Sequence, residues 1–164
     1  MEAQSRNKIV KWSEMEVNRS RMLIGSVTHS IDSKGRYIVP SRYRADLGEK
    51  FIVTEGVSGC LFIFTLEQWE VVASALAALP ADDEATLCFK RDFFSTAYDL
   101  EIDKQFRIVL PPILREYAGL EKDIITVGMG TRLEIWDKQA WEDYRQQTQV
   151  PAEKKRAVLA GMVL

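Results

Sequence analysis

The chain of 164 residues contains one histidine, two cysteines and no long apolar run. A helix that crosses a bilayer needs about 20 apolar residues in succession, and the longest uncharged apolar runs, Val71 to Leu79 and Ala157 to Leu164, are far shorter. Cys60 and Cys88 stand 28 positions apart, a spacing that supports neither a zinc site nor a disulfide framework. We therefore expect no membrane partner, no metal and no cofactor, and we expect both thiols to be buried.

The sequence also shows no set of residues with the spacing of a catalytic site. The only histidine, His29, has no serine or cysteine at a spacing that suggests a catalytic arrangement. The first 21 residues lack the apolar centre of a secretory signal, which predicts a cytoplasmic protein. We expect a protein that is not an enzyme and has no small-molecule substrate.

Charge is nearly balanced, with 24 acidic and 22 basic side chains and a net charge of −2. A domain that neutralises many phosphates is usually basic overall, so this total alone disfavours a nucleic-acid partner. The distribution of charge along the chain favours a nucleic-acid partner instead. Residues 1–21 and 151–164 each carry +2 and residues 22–150 carry −6, yet Asp32 to Arg44 within that acidic body carries +3. The sequence therefore predicts one basic patch on an acidic protein.

The chain contains an internal repeat. The segment IDSKGRYIVPSRYR, Ile31 to Arg44, recurs 71 residues later as IDKQFRIVLPPILR, Ile102 to Arg115. Beyond these segments the offset becomes 72, which requires one inserted residue in the second copy. So many matches in the same order indicate a duplication. The matching residues include Asp32 and Asp103, Arg36 and Arg107, Pro40 and Pro111, Arg44 and Arg115, Thr54 and Thr126, and Trp69 and Trp141.

Each copy predicts the same succession of elements. Alternating apolar and polar residues on both sides of a polar turn are typical of a β-hairpin. Pro40 or Pro111 then ends a strand before a short helix that a glycine closes. Two more strands follow, and Thr65 or Asp137 is placed to cap the helix that carries a tryptophan.

These elements predict an α+β fold with two pseudo-symmetric halves, residues 22–79 and 97–150. Each half has a β-hairpin plus strands and short helices, and residues 80–96 connect them. A half of about 60 residues buries too little apolar surface to be stable alone, so we expect the halves to share one core. Residues 151–164 form a tail with a short amphipathic helix, whose apolar residues we expect to dock on a neighbouring subunit rather than on lipid.

The pattern Asp-x-x-x-Arg occurs at the turn of both copies, as Asp32 with Arg36 and as Asp103 with Arg107. A turn aspartate accepts backbone amide bonds and pairs with the arginine, which fixes the orientation of the guanidinium. The pattern is either a structural salt bridge that closes a turn or an oriented arginine that contacts a DNA phosphate or a guanine edge. Lys34 adds charge to the first turn, which is the better candidate for DNA contact.

Together these segments resemble the MraZ family of bacterial transcriptional regulators, which is related to the AbrB-type swapped-hairpin DNA-binding proteins. The resemblance rests on HSIDSKGRYIVPSRYR, IDKQFRIVLPPILREYAGLEKD and VGMGTRLEIWDKQAWEDY, and it covers residues 22 to about 150. It implies that the two halves interlock in a swapped-hairpin, β-barrel-like core and that subunits form a homo-oligomeric ring. It also implies that the ring binds double-stranded DNA at short direct repeats upstream of the division and cell-wall gene cluster, within the nucleoid.

Two departures from the family pattern stand out. Phe106 occupies a turn position where the family has glycine, and a bulky residue at a position that needs positive φ is expected to reshape the second turn. Family members begin near Met22, so we expect residues 1–21 to be a disordered extension. Carried over to this sequence, the resemblance implies DNA contacts at Lys34 and Arg36, weaker phosphate contacts at Arg42, Arg44 and Arg107, and arginine-orienting roles for Asp32 and Asp103.

A different class of function stays open at this stage. Swapped-hairpin proteins also include antitoxin-like and scaffolding modules, whose main partner is another protein. Such a module is expected to carry a long partner-binding tail, and the tail here has 14 residues. A DNA-binding regulator is therefore the leading hypothesis, and a protein-interaction module is the alternative.

Overall fold

A computed structural model of the chain describes residues 22–162. The predicted extension, residues 1–21, lies outside the described residues, as do residues 163–164. The described chain has an α+β fold. Along it the elements are β1 (Ser26–Ser30), β2 (Arg36–Ile38), α1 (Ser41–Leu47), β3 (Lys50–Glu55), β4 (Leu61–Thr65), α2 (Leu66–Ala78), α3 (Glu84–Ser95), β5 (Tyr98–Glu101), β6 (Arg107–Val109), α4 (Pro112–Ala118), β7 (Asp123–Gly128), β8 (Leu133–Asp137), α5 (Lys138–Gln147) and α6 (Ala152–Ala160).

Six strands form one antiparallel sheet in the order β1-β7-β8-β4-β3-β5, and β2 pairs with β6 in a separate two-stranded ribbon. In the repeat, β1, β3 and β4 of the first half correspond to β5, β7 and β8 of the second. If each strand is exchanged for its counterpart, the strand order is the same read from either edge of the sheet. A pseudo-twofold axis therefore passes between β4 and β8. Strand β1 of the first half pairs with β7 of the second, and β5 of the second half pairs with β3 of the first. Each half therefore supplies an edge strand to the other.

The sheet is open, so the prediction of a β-barrel-like core is wrong. Strands β1 and β5 are its two edges. The ribbon is too short to bridge them, because β2 and β6 each have three residues and are soon followed by Pro40 or Pro111. Proline has no N–H group with which to extend a ladder.

The polar turns do not close simple hairpins, which corrects a second prediction. The strands on either side of each turn pair with strands of the other half. The backbone N–H of Val39 donates to the carbonyl oxygen of Phe106, and that of Leu110 donates to the carbonyl oxygen of Gly35, both at 2.9 Å. Each turn is thus hydrogen-bonded to the strand of the other copy.

The main apolar core lies between the sheet and the ribbon and contains residues from both halves. From the ribbon it contains Tyr37 and Ile108, and from the sheet it contains alternate residues such as Leu61 and Ile63. Side chains alternate between the faces of a strand, so Phe62 and Phe64 point to the opposite face. There they form a second cluster that the helices cover. Its other members are Cys60, Leu76, Phe93, Ile125, Val127 and Trp136, with Trp69, Val72 and Trp141 packed against it.

Helix caps confirm several local predictions. The side chain of Thr65 accepts a hydrogen bond from the backbone N–H of Gln68 at 3.1 Å. Asp137 does the same for Ala140 at 3.0 Å in the second copy. The short helices α1 and α4 are each followed by a glycine with positive φ. The two copies of the repeat therefore begin and end their helices with equivalent residues.

The two cysteines differ in exposure. Cys60 is buried, and burial raises the pKa of its thiol to about 12. Cys88 is exposed, so the prediction that both thiols are buried is wrong for Cys88. Cys88 lies on the solvent side of α3, whereas Phe93 of the same helix is buried against the sheet. Among residues 22–162, no three His, Cys, Asp or Glu side chains cluster where they could hold a metal ion, and no helix is long and apolar enough to cross a bilayer.

Candidate nucleic-acid interface

The ribbon of β2 and β6 has one face toward the core and one toward solvent. Its central residues, Tyr37 and Ile108, are buried, so the residues before and after them point outward. The antiparallel register makes Arg36 and Arg107 diagonal neighbours on this outer face, a relationship that separates Cα atoms by about 7–8 Å. The structure therefore brings the two motif arginines onto one surface.

The first turn holds Arg36 through a single carboxylate. One oxygen of Asp32, Oδ1, accepts hydrogen bonds from the backbone N–H groups of Lys34 and Arg36, both at 3.0 Å. The other, Oδ2, accepts a bond from Nε–H of Arg36. These bonds, first of all the one from the backbone of Arg36, hold the pKa of the Asp32 carboxyl below its usual value. The aspartate is therefore charged at neutral pH and orients the guanidinium.

The second turn has the same geometry. Asp103 Oδ1 accepts from the backbone N–H groups of Gln105 at 2.8 Å and Arg107 at 3.0 Å, and Oδ2 accepts from Arg107 Nε–H at 2.9 Å. Phe106 adopts a φ of 59°, close to the 74° of its repeat mate Gly35. The expectation that Phe106 reshapes this turn is wrong, because the surrounding bonds hold a non-glycine residue in the left-handed region.

Arg44 and Arg115, which are repeat mates, each extend from their own half to the turn of the other half. The guanidinium carbon of Arg44 lies 4.1 Å from the ring centre of Phe106. Arg115 lies beside Gly35, where an added Cβ would come within 2.5 Å of its Nε. Each Nε–H also donates to the carbonyl oxygen that precedes the proline of its own half, at 2.9 Å for Arg44 and 3.0 Å for Arg115. Both guanidinium groups are thereby fixed beside the turns.

The structure adds Arg115 to the candidate residues. The sequence contained the signal, because the repeat aligns it with Arg44, but its contact with the first turn depends on the pairing of the halves. The segments Asp32 to Arg44 and Asp103 to Arg115 together carry seven basic and two acidic side chains. The two segments thus carry a net charge of +5 together, compared with +3 for the first segment alone.

The remaining predicted residues lie around this surface. Lys34 is exposed within the first turn. Arg42 is exposed, and its guanidinium lies against Gly25, just before β1, and 5.6 Å from the ring centre of Tyr43. Arg42 therefore packs on the sheet side of α1, whereas Arg44 packs on the second turn.

Charge and shape together suit this surface to a polyanion. A two-stranded ribbon is narrow enough to enter the major groove of DNA. The carboxylate of each turn binds the Nε edge of its arginine, so the guanidinium directs its Nη edge away from that carboxylate. Planar guanidinium groups held in this way recognise phosphate or guanine with two parallel hydrogen bonds.

Comparison with known proteins gives the family. A family model described as "MraZ protein, putative antitoxin-like" matches the chain twice, at residues 22–92 and 93–161. The chain belongs to the MraZ family. The double match confirms the duplication and the family identification that the turn motifs indicated.

Several relatives from this family are similar over most of their length. A protein named Transcriptional regulator MraZ from Acetivibrio thermocellus is 48% identical over 132 residues, which are 80% of this chain and 92% of the relative. Proteins of the same name from a Thermoanaerobacter species and from Desulfitobacterium hafniense are 46% and 48% identical over 133 and 128 residues, respectively. These matches cover 81% and 78% of this chain and 93% and 90% of the relatives.

Proposed function

We propose that this protein is a sequence-specific DNA-binding transcriptional regulator and that it is a binding protein rather than an enzyme. The name that its relatives carry supports regulation of transcription. The geometry supports DNA as the ligand, because the two segments that form the ribbon, its turns and the first part of α1 and α4 carry a net charge of +5 on a chain whose total is −2. Such a local excess attracts phosphate, while the acidic body disfavours indiscriminate binding.

One observation carries the proposal. Asp32 and Asp103 hold Arg36 and Arg107 by the same bonds, on the outer face of one ribbon. A salt bridge that only closed a turn would not need both arginines on the face turned to solvent. Lys34 in the first turn and Arg115 beside it supply further donors, so this turn is the proposed centre of base contact. Arg42, Arg44 and Arg107 are the proposed phosphate contacts.

We further propose that a homo-oligomeric ring of this protein binds short direct repeats upstream of the division and cell-wall gene cluster, on the nucleoid in the cytoplasm. Two segments with a net charge of +5 make few phosphate contacts, and several linked copies on adjacent repeats make the later contacts at high effective concentration. The crossed pairing of β1 with β7 and β5 with β3 supports a swapped-hairpin relation between the halves, of the AbrB type.

The test is a fluorescence-anisotropy titration of the full chain. One duplex carries the direct repeats from upstream of its own gene, and the other carries the same bases shuffled. We expect tight, salt-sensitive binding to the repeats and a loss of about tenfold or more in Arg36→Ala, since one bidentate contact contributes roughly 1–3 kcal/mol. Arg91→Ala is the matched control, because Arg91 is exposed on α3 and its loss removes the same charge.

Equal and weak binding to both duplexes would contradict the proposal. Asp32 and Arg36 would then be a structural turn, and the alternative function, an antitoxin-like or scaffolding module with a protein partner, would take its place. A loss of affinity in Arg91→Ala equal to that in Arg36→Ala would show a general charge effect and would contradict the assignment to the ribbon.

A further inference from the structure

The outer face of the ribbon carries two exposed aliphatic side chains beside its arginines. Ile38 on β2 is 47% exposed, and Val109 on β6 is 57% exposed. The two are repeat mates, so each half places a β-branched apolar residue at the same point of its motif. Each follows the motif arginine of its own strand by two positions and therefore lies on the same face as that arginine.

The register sets each aliphatic side chain directly opposite an arginine of the other half. Val109 pairs with Arg36, and Ile38 pairs with Arg107. Residues directly opposite each other in an antiparallel pair have Cβ atoms about 4.5–5.5 Å apart. The outer face is therefore formed by four neighbouring side chains, in which guanidinium and aliphatic groups alternate.

The preference of β-branched residues for strands does not account for this pair. A single exposed aliphatic residue is normal on a protein surface, and valine and isoleucine favour strands in general. Within the strands of residues 22–162, however, exposed aliphatic side chains occur at these two positions alone. The edge strand β1 has serine or threonine at its exposed positions, Ser26, Thr28 and Ser30. Exposed aliphatic groups are thus confined to the strand face that carries the motif arginines.

The major-groove edges of the bases match this alternation of charged and apolar groups. Guanine presents two acceptors to an arginine, and thymine presents an apolar methyl group on C5 that the other three bases lack. Successive bases along one strand are about 3.4 Å apart, which is close to the spacing of neighbouring side chains on the ribbon. An aliphatic group beside a guanidinium is therefore placed to contact a thymine methyl group next to the arginine's own contact.

We propose that Val109 and Ile38 contact the 5-methyl groups of thymines in the major groove, so that thymine is part of the sequence that the ribbon reads. Val109 belongs to the second half but lies opposite Arg36, at the proposed centre of base contact. One reading surface thus combines an arginine from one copy of the repeat with an aliphatic group from the other. The inference rests on the proposed function for its ligand and adds the base that the apolar side chains recognise.

The test compares thymine with deoxyuridine, which lacks the 5-methyl group and keeps the same pairing edge. The full chain is titrated by fluorescence anisotropy on three duplexes: the direct repeats from upstream of its own gene, the same repeats with deoxyuridine at every thymine, and the shuffled duplex. We expect the wild type to bind the uridine repeats about fourfold more weakly for each methyl group that it contacts, because burial of one such group contributes about that factor.

Substitutions show whether these two side chains read the methyl groups. The double variant Ile38→Ala with Val109→Ala shortens both aliphatic groups. We expect it to bind the thymine and uridine repeats with affinities that differ by less than about twofold, because the partners of the methyl groups are gone. Ile24→Ala with Val71→Ala is the matched control, since it shortens the same two residue types at exposed positions outside the ribbon. This control is expected to keep the full difference between thymine and uridine.

Two results would overturn the inference and leave the proposed function intact. One is a wild type that prefers the repeats to the shuffled duplex but binds thymine and uridine repeats equally. The other is a uridine effect of the same size in the wild type and in the double variant, because the methyl groups would then act through the shape of the duplex. A wild type that does not prefer the repeats to the shuffled duplex would contradict the proposed function and the inference together. The wild-type comparison needs no substitution, so it decides the first result even if a variant loses its ribbon.

Discussion

The guanidinium of Arg44 lies 4.1 Å from the ring centre of Phe106 and so joins an arginine of the first half to the turn of the second. The mirror relationship, Arg115 against Gly35, joins the second half to the turn of the first. Each turn is completed by a side chain from the other copy of the repeat. A single half therefore contains the motif but not the surface that the motif forms.

The first prediction concerns the backbone of Phe106. Its φ of 59° costs a residue with a Cβ about 1–2 kcal/mol and costs glycine little. Phe106→Ala and Phe106→Gly both remove the stacked ring, so they differ mainly in this cost. We expect the glycine variant to be the more stable by about 1 kcal/mol, measured by urea unfolding.

The control for that comparison is an alanine-to-glycine substitution in a helix, where glycine is expected to be the less stable residue. Ala85→Gly on α3 is expected to destabilise by up to about 1 kcal/mol, because glycine is a poor helix former. An alanine variant at Phe106 that is as stable as the glycine variant would show that this turn does not need the left-handed conformation.

The second prediction separates backbone strain from contact with Arg115. Gly35 and Gly48 have φ values of 74° and 80°, but an added Cβ would clash with Arg115 at the first position and meets open space at the second. Both alanine variants are expected to lose stability through strain, by about 1–2 kcal/mol at Gly35 and by up to about 3 kcal/mol at Gly48, whose ψ of −174° lies in a region that is nearly restricted to glycine. Only Gly35→Ala is expected to lose DNA affinity as well, by about tenfold, in an anisotropy titration. Equal affinity of the two variants would remove Arg115 from the interface.

The third prediction tests how Asp32 acts. Removal of a negative charge beside DNA would tighten binding if the carboxylate only repelled phosphate. If Asp32 orients Arg36, Asp32→Ala weakens binding, and the double variant binds no worse than Arg36→Ala alone, because the two residues act as a unit. Asp99→Ala on β5 removes the same charge away from the ribbon and is the control. Additive losses from Asp32→Ala and Arg36→Ala would contradict the positioning role.

The fourth prediction distinguishes Lys34 from Arg36. An exposed lysine at a turn contacts phosphate as a point charge, whereas an oriented arginine is able to read a base. Lys34→Gln is expected to weaken binding to specific and shuffled duplexes by the same factor. It is also expected to reduce the slope of log affinity against log salt by about one. A change in discrimination with an unchanged slope would reverse the two roles.

Local features of the fold were predictable from the sequence, and the pairing of strands was not. The turn of Asp32, the cap of Thr65 and the strand end at Pro40 depend on residues a few positions apart. Alternation of apolar residues shows that a strand has a buried face but does not name its partner. The hairpin prediction therefore failed at β2, whose partner β6 begins about 70 residues away.

The candidate site likewise has some features that the sequence predicts and others that depend on how the strands pair. The repeat places Asp32, Arg36 and their mates in equivalent positions, and this symmetry is visible in the sequence. The contact of Arg115 with Gly35 follows only from the crossed pairing of the halves. Phe106 adopts a positive φ, which a residue with a Cβ disfavours. The hydrogen bonds to Asp103 and the stacked guanidinium of Arg44 hold it in this conformation.

The fifth prediction concerns the only histidine. His29 Nε2 lies 2.8 Å from the hydroxyl oxygen of Thr126, which also bonds to the hydroxyl of Tyr37, so one side-chain network links β1, the ribbon and β7. Burial lowers the pKa of His29 below its usual value of 6.5. The unfolded chain therefore binds a proton at a higher pH than the folded chain does, and the free energy of unfolding falls as the pH drops below 6.5.

Urea unfolding of wild type and His29→Gln between pH 7.5 and 5.5 measures this effect. The variant is expected to be less stable at pH 7.5, because glutamine packs poorly against Tyr37, whose ring centre lies 5.2 Å from that of His29. Its stability is expected to fall less steeply below pH 6.5 than that of the wild type, because the titrating group is gone. Parallel curves would show that His29 does not cause the pH dependence and that the network tolerates a charged imidazole.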